Sequence, residues 1–179
     1  MPKVTVDYTD YFTYMNKRMG TDGLLMVTTG TDGKPNIMTI GWGTVGILWR
    51  LPVFVVLVRP SRYTYGRLEE VKEFTVNVPS KELAEATLHC GTVSGRDNDK
   101  FKDMAFTPVQ GRKVKVPIIQ ECVMHYECRV VHENEVIPEA LDKAIINSAY
   151  PQGDFHRIYY GQILATYADK NALEKLNMK

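Results

Sequence analysis

The chain has 179 residues, enough for one domain with a substantial core, and its 22 lysines and arginines nearly balance 21 aspartates and glutamates. That balance excludes the broad basic field that would hold a nucleic acid or an anionic membrane, so any anion has to be bound locally. The longest apolar run, Val53 to Val58, falls far short of a membrane span, and no basic-then-apolar leader pattern opens the chain, so a cytosolic protein is expected.

In chain order, Tyr8 to Arg18 reads as a first helix, broken over Gly20 to Gly23, and Leu24 to Thr29 reads as a strand. The turn Thr31-Asp32-Gly33 and a second extended run from Pro35 to Gly41 make a hairpin the simplest interpretation. Val53 to Val58 is β-branched enough to be a third, buried strand. Ser61 is placed to cap a helix from Arg62 to about Val71, Phe74 to Val78 is a fourth strand ended by Pro79, and Ser80 caps another short helix. From His89 to Asp99 the residues are small or polar and read as a loop, with Asp97 or Asn98 capping a helical turn that carries Lys100 and Phe101.

Cys122 to Val131 alternates as a half-buried strand: Cys122, Met124, Tyr126, Cys128 and Val130 share one face, and Val123, His125, Glu127 and Arg129 share the other. Glu139 to Ala149 reads as helical after Pro138, Phe155 to Tyr167 as extended and aromatic-rich, and Ala172 to Met178 has room for two helical turns at most. The strands follow one another through a hairpin or short helices, without steady strand-helix alternation. This favours a mainly β fold, an antiparallel barrel with peripheral helices. Cys90, Cys122 and Cys128 have neither metal-finger nor CxxC spacing. The last two would lie roughly 20 Å apart along one strand, so free thiols are expected and no metal site.

Two glycine motifs are decoys. Gly41-Trp42-Gly43-Thr44-Val45-Gly46 satisfies GxGxxG, but a dinucleotide fingerprint must open a helix, and Ile47 to Val58 holds Pro52 and a β-branched run instead. Thr28-Thr29-Gly30-Thr31 resembles a phosphate loop, yet it leads into a turn and a strand, and a hairpin explains it without a ligand.

The stretch Arg59-Pro60-Ser61-Arg62-Tyr63-Thr64-Tyr65 places two guanidinium groups and the hydroxyls of Ser61 and Thr64 where a strand hands over to a helix. Free N–H groups and the helix dipole favour a phosphate there; a solvated cap whose arginines pair with Glu69, Glu70 or Glu73 accounts for the same residues. Ser94 to Phe101 is a second polar loop, with Gly95 and Lys100 available to an anion, but by itself it reads first as ordinary surface whose charges cancel. His156 sits where a barrel rim would hold a side chain over a ligand, although a histidine at a strand start also reads as simply solvated; Trp42 could stack on a planar ring or serve a core or an interface; and His89, His125 and His132 are read as structural.

Five segments in this order resemble the FMN-binding, flavin reductase-like split-barrel family that includes flavoredoxins and archaeal ferric reductases. They are Asp32 to Thr39, Arg59 to Thr64, Phe74 to Val78, Cys90 to Asp97, and Gly153 to Ile163. The resemblance implies a Greek-key split β-barrel over residues 1–179, working as a homodimer with FMN at the interface. It implies a phosphate near Arg59, Ser61, Arg62, Tyr63, Thr64 and Lys100. The isoalloxazine would run along Asn36, Thr39, Ile40, Gly41 and Trp42, with Asn77, Ser94 and Gly95 nearby. His156 would be the catalytic residue at the redox face. Electrons would come from NADH or NADPH, or from a protein donor, and leave to flavin, ferric iron or a protein acceptor. A non-enzymatic FMN carrier and a cofactor-free binding module are the alternatives. The short tail departs from the family's pattern and leaves the substrate open.

Overall fold

The structure, a computed structural model, describes residues 3–176. Its elements are β1 (Lys3–Thr5), α1 (Phe12–Thr21), β2 (Leu24–Thr29), β3 (Pro35–Ile40), β4 (Gly43–Leu48), β5 (Leu51–Val58) and α2 (Tyr63–Glu70), followed by β6 (Glu73–Val78), α3 (Ala84–Thr92) and α4 (Lys100–Asp103). The short pair β7 (Pro108–Val109) and β8 (Ile118–Ile119) precedes the long strand β9 (Met124–Glu135), and α5 (Lys143–Ala149), β10 (Arg157–Asp169) and α6 (Ala172–Leu176) complete the order.

β2 and β3 form the expected hairpin, Leu24 opposite Ile40 and Thr29 opposite Pro35, turning through Gly33 at φ +70°. Its tip is tied to α2 from outside. The Arg67 guanidinium donates to Asp32, and Glu70 accepts the Thr31 N–H at 2.8 Å. Gly30 lies under Arg67, where a Cβ would overlap the guanidinium, so the glycine of the false phosphate loop serves packing.

A second hairpin lies between β4 and β5 and was not expected. It turns through Trp49 and Arg50, at φ +50° and +61°, the left-handed pair that a tight two-residue loop requires and that side chains rarely adopt. Sequence signals for such a turn are Asn-Gly or Asp-Gly, and Trp-Arg carries none. The GxGxxG glycines therefore belong to a strand; Gly43 packs against the Val55 carbonyl, where a Cβ would come within 2.6 Å.

The hydrogen-bonded path runs β3-β2-β6-β9-β10-β5-β4, antiparallel at every pairing, with β1 added beside β10. Its two outermost strands, β3 and β4, are consecutive in the chain, separated by Gly41 and Trp42 alone. Two linker residues cannot cross an open sheet, so the sheet curls until its edges approach, and the barrel is left split at that linker. Met15, Met26, Phe54, Phe74, Tyr126 and Tyr159 fill the interior, while Leu25, Val27, Ile37, Phe101, Val116 and Ile119 form a second apolar layer under the 100–122 segment.

Several boundaries depart from expectation. The first helix begins at Phe12 and runs through Gly20, and α3 extends through Cys90 and Gly91 to Thr92, where a loop was expected. α4 is capped by Asp99, which accepts the Lys102 N–H, and not by Asp97 or Asn98. β9 starts after Cys122 and is buried on both faces from Met124 to Cys128, because the 106–121 segment covers the face carrying His125 and Glu127. The helix expected from Glu139 starts at Lys143, capped by Asp142. Of the C-terminal tail, Asn177 and Met178 lie outside the described residues. All three cysteines are free and buried, and no described helix is long and apolar enough to cross a membrane.

Candidate functional site

At the split, two hollows of about 200 Å³ each share Met38, Thr39 and Arg62 and so form one cleft. One end is walled by Ile40, Gly41, Trp42, Leu57, Arg59 and His156. The other is walled by Asn36, Ser61, Tyr63, Thr64, the run Cys90 to Arg96, and Lys100. A larger hollow of about 930 Å³ adjoins the second end beyond Tyr63 and Gly95.

The second end is cationic. Arg62 is the last extended residue before α2, and its guanidinium has no hydrogen bond or ion pair among the described residues. It therefore presents an unpaired charge beside the first turn of a helix. The expected pairing of the arginines with Glu69, Glu70 or Glu73 does not occur for Arg59 or Arg62. Thr64 is buried and accepts from Asn36 Nδ2 at 2.9 Å, and Gly95 lies so close that a Cβ would overlap the Asn36 side chain. Arg96, which sequence reasoning missed, donates to the Ser61 carbonyl at 3.1 Å and sits 5.6 Å from the Tyr63 ring, whose other neighbour is Arg67 at 4.7 Å.

Three expected anion ligands are otherwise engaged. Ser61 does not cap α2; its hydroxyl donates to Asp154 Oδ2 at 2.6 Å and its N–H faces Oδ1 at 3.3 Å. Arg59 donates to the carbonyls of Ala149, at 2.8 Å, and Asp154, at 3.1 Å, strapping the loop before β10. Lys100 is buried and donates to the Ile37 and Cys90 carbonyls at 2.8 and 2.7 Å, joining α4 to β3 and α3 beneath the cleft floor. Burial lowers its pKa, the Arg62 charge adding to the effect.

The first end is aromatic. Trp42 is 45% exposed and its ring lies 4.9 Å from the His156 imidazole, which is buried. His156 Nδ1 is 2.7 Å from the Tyr150 hydroxyl. Burial, with Arg59 and Arg62 adding to it against Asp154, pushes the His156 pKa down to about 4, so the ring is neutral at neutral pH. Thr39 donates to the Thr87 carbonyl at 2.6 Å, and Gly91 packs on Thr39, where a Cβ would approach within 3.2 Å.

Asn77 is the one expected site residue that is absent from the cleft. It is fully buried in the second apolar layer, donating to the Leu25 carbonyl at 3.1 Å and accepting from the Ile119 N–H at 3.0 Å. Ser94 and Gly95, expected beside the ring, line the cationic end of the cleft, and Met38, Leu57, Thr92 and Arg96 line the cleft without having been singled out.

A model of the flavin reductase-like domain matches residues 18–179. The chain belongs to the flavin reductase-like family. An uncharacterized protein of Archaeoglobus fulgidus is 34% identical to this family member over 157 residues, 86% of this chain and 78% of its own. Among solved structures, the flavoredoxin of Desulfovibrio vulgaris (Miyazaki F) is similar at a TM-score of 0.67 and 27% identity, covering 83% of this chain and 70% of that one. A Shewanella frigidimarina protein with a split-barrel domain is similar in fold, at a TM-score of 0.68 and 18% identity over 94% of this chain and 77% of its own. The curled antiparallel sheet with peripheral helices is the split-barrel architecture of this flavin reductase-like family.

Proposed function

We propose that the cleft binds FMN and that the protein, as a homodimer with the cofactor at its interface, passes electrons from NADH or NADPH, or from a protein donor, to flavin, ferric iron or a protein acceptor. The observation that carries this reading is the continuity of the cleft: a cationic corner and an aromatic wall share Met38, Thr39 and Arg62. A ring joined to a phosphate needs such a two-ended site. Arg62 and Thr64 suit the phosphate, with Arg96 at the same end, and the edge formed by Met38 to Trp42 suits the ring. FMN when bound supplies hydride and single-electron chemistry, so the protein's tasks are binding, orientation and exclusion of water.

Ser61 joins the phosphate set only by exchanging Asp154 for the ligand, and Arg59 and Lys100 hold the walls of the cleft. NAD(P)H as donor rests on the family membership and on Trp42, which leaves an open aromatic face beside the neutral His156. The test starts from the purified protein's visible spectrum and an FMN titration. Arg62→Ala is expected to weaken FMN binding by about 1.5–3 kcal/mol, the value of a hydrogen bond to a charged group. An unchanged Kd removes Arg62 from the site, and a protein that takes up no FMN removes the cofactor. Rapid mixing of the FMN-loaded protein with NADH and NADPH should bleach the flavin band; bleaching that waits for a protein donor would identify a carrier instead.

A further inference from the structure

We propose that Tyr150 is the positioning residue of the cleft, fixing His156 as a neutral imidazole that keeps its proton on Nε2 and offers that N–H to the cleft. The inference rests on the FMN reading for its consequence, but its geometry stands without it.

Tyr150 closes α5 and is 5% exposed. Phe155 stacks on its ring at 4.6 Å, and the Arg59 guanidinium lies 5.0 Å from the same ring while donating to the Ala149 and Asp154 carbonyls on either side of the loop. Gly153 and Asp154, at φ +76° and +57°, turn the chain back so that His156 meets a tyrosine six residues before it. The Tyr150 ring is thus held by packing from outside the cleft, and Trp42 closes on the pair, 4.9 Å from His156 and 6.3 Å from Tyr150.

Which partner donates follows from counting hydrogens. The phenol has one, burial keeps it protonated, and Nδ1 is the one acceptor within hydrogen-bond reach of it among the described residues. The phenol hydrogen is then left for Nδ1. The reverse arrangement, with Nδ1–H donating, would strand a phenol hydrogen that has no other acceptor among the described residues. With Nδ1 accepting, a neutral ring must carry its hydrogen on Nε2. The charged or titratable groups facing His156 are Arg59 at the end of β5, Arg62 at the start of α2, Asp154 in the loop, and Tyr150 itself. The two arginines and the phenol hydrogen bond all favour the neutral form, and Asp154 alone opposes them. His156 therefore acts at neutral pH as a fixed hydrogen-bond donor and not as an imidazolium acid.

Long-range proton–nitrogen NMR of the full-length protein, with and without FMN, reads the tautomer directly. The wild type is expected to show a neutral Nε2–H ring at His156 between pH 5 and 8. In Tyr150→Phe the tautomers should mix and the titration should move up by about one pH unit, because a hydrogen bond to the neutral form has gone. FMN affinity should stay within about twofold, whereas reduction of bound FMN by NADH should slow about tenfold and become pH-dependent between pH 5 and 6.5, the size of one hydrogen bond. A wild-type ring protonated on Nδ1, or a Tyr150→Phe protein with unchanged tautomer and titration, would overturn the proposal. If that variant does not fold, the wild-type spectrum decides alone. A wild type that takes up no FMN would count against the cofactor reading, and the tautomer of the cofactor-free protein would still decide the part of Tyr150.

Discussion

Glu127 is a carboxylate sealed from water, and four donors make that tolerable: the backbone N–H groups of Arg112, Lys113 and Val114 at 2.7, 2.5 and 3.0 Å, and the Tyr167 hydroxyl at 2.6 Å. His125, on the same face, is fully buried with Nδ1 bonded to Asn77 Oδ1 at 2.8 Å. Burial, aided by the charges of Lys3 and Arg112, holds its pKa well below the usual imidazole range. The unfolded chain takes up a proton at His125 as the pH falls below about 6.5, and the native state does not. The contribution to stability is therefore complete above that pH and lost progressively below it, with a slope of up to about 1.4 kcal/mol per pH unit. Urea midpoints should fall between pH 7 and 5 in the wild type and fall less in His125→Gln; parallel falls would acquit His125. At this scale the sequence was readable in residue type but not in partner. Ser61 and Lys100 are capable of holding a phosphate and Asn77 of facing a flavin ring, and each is turned elsewhere by a group distant in sequence: Asp154, Ile37 and Ile119.

Among the elements, the β2–β3 hairpin was legible because Asp-Gly and strict alternation agree with the tertiary structure. β4 was not, because its turn rests on two non-glycine residues in the left-handed region and its burial alternates only from Gly43 to Gly46 before Ile47 and Leu48 lie exposed in succession. The helix boundaries erred where side-chain caps were assumed and long-range hydrogen bonds took the capping residue, as at Ser61. β10 shows the opposite case, a strand with two register shifts against β9, the first of them dictated by packing. Its register against β9 shifts between Tyr160 and Gly161, and a Cβ at Gly161 would lie 2.6 Å from Phe74 Cε1 and 2.9 Å from Cys128 Cβ. Neither neighbour is the loose end of a flexible chain; both belong to the barrel core. Gly161→Ala should destabilise the protein by about 1–3 kcal/mol, the range for overpacking, measured by urea unfolding with an unchanged m-value. A loss below about 0.5 kcal/mol would mean that the bulge relaxes freely.

For the molecule as a whole, the order of segments was enough to imply a curled antiparallel sheet, yet the place where it fails to close could not be read, because one of the two edge strands was missing from the reading. That place matters to assembly. β4 is an edge strand with free backbone groups, and its outer end carries Ile47, Leu48 and Trp49, at 57, 38 and 61% exposure. An apolar edge of this kind invites pairing with another chain, and Trp49 is held in place by His132 and Tyr160, at 5.7 and 5.9 Å between ring centres. Within β4 and its linker the same edge leads back to Gly43 and Trp42, so a second copy docked there would also shelter the aromatic end of the cleft. Light scattering should then give twice the chain mass for the wild type and a monomer for Trp49→Glu, and the monomer should hold FMN more weakly although Trp49 does not line the cleft. A wild type that scatters as one chain at micromolar concentration would remove the homodimer, and a monomeric variant with unaltered FMN affinity would leave the dimer but detach it from the cofactor.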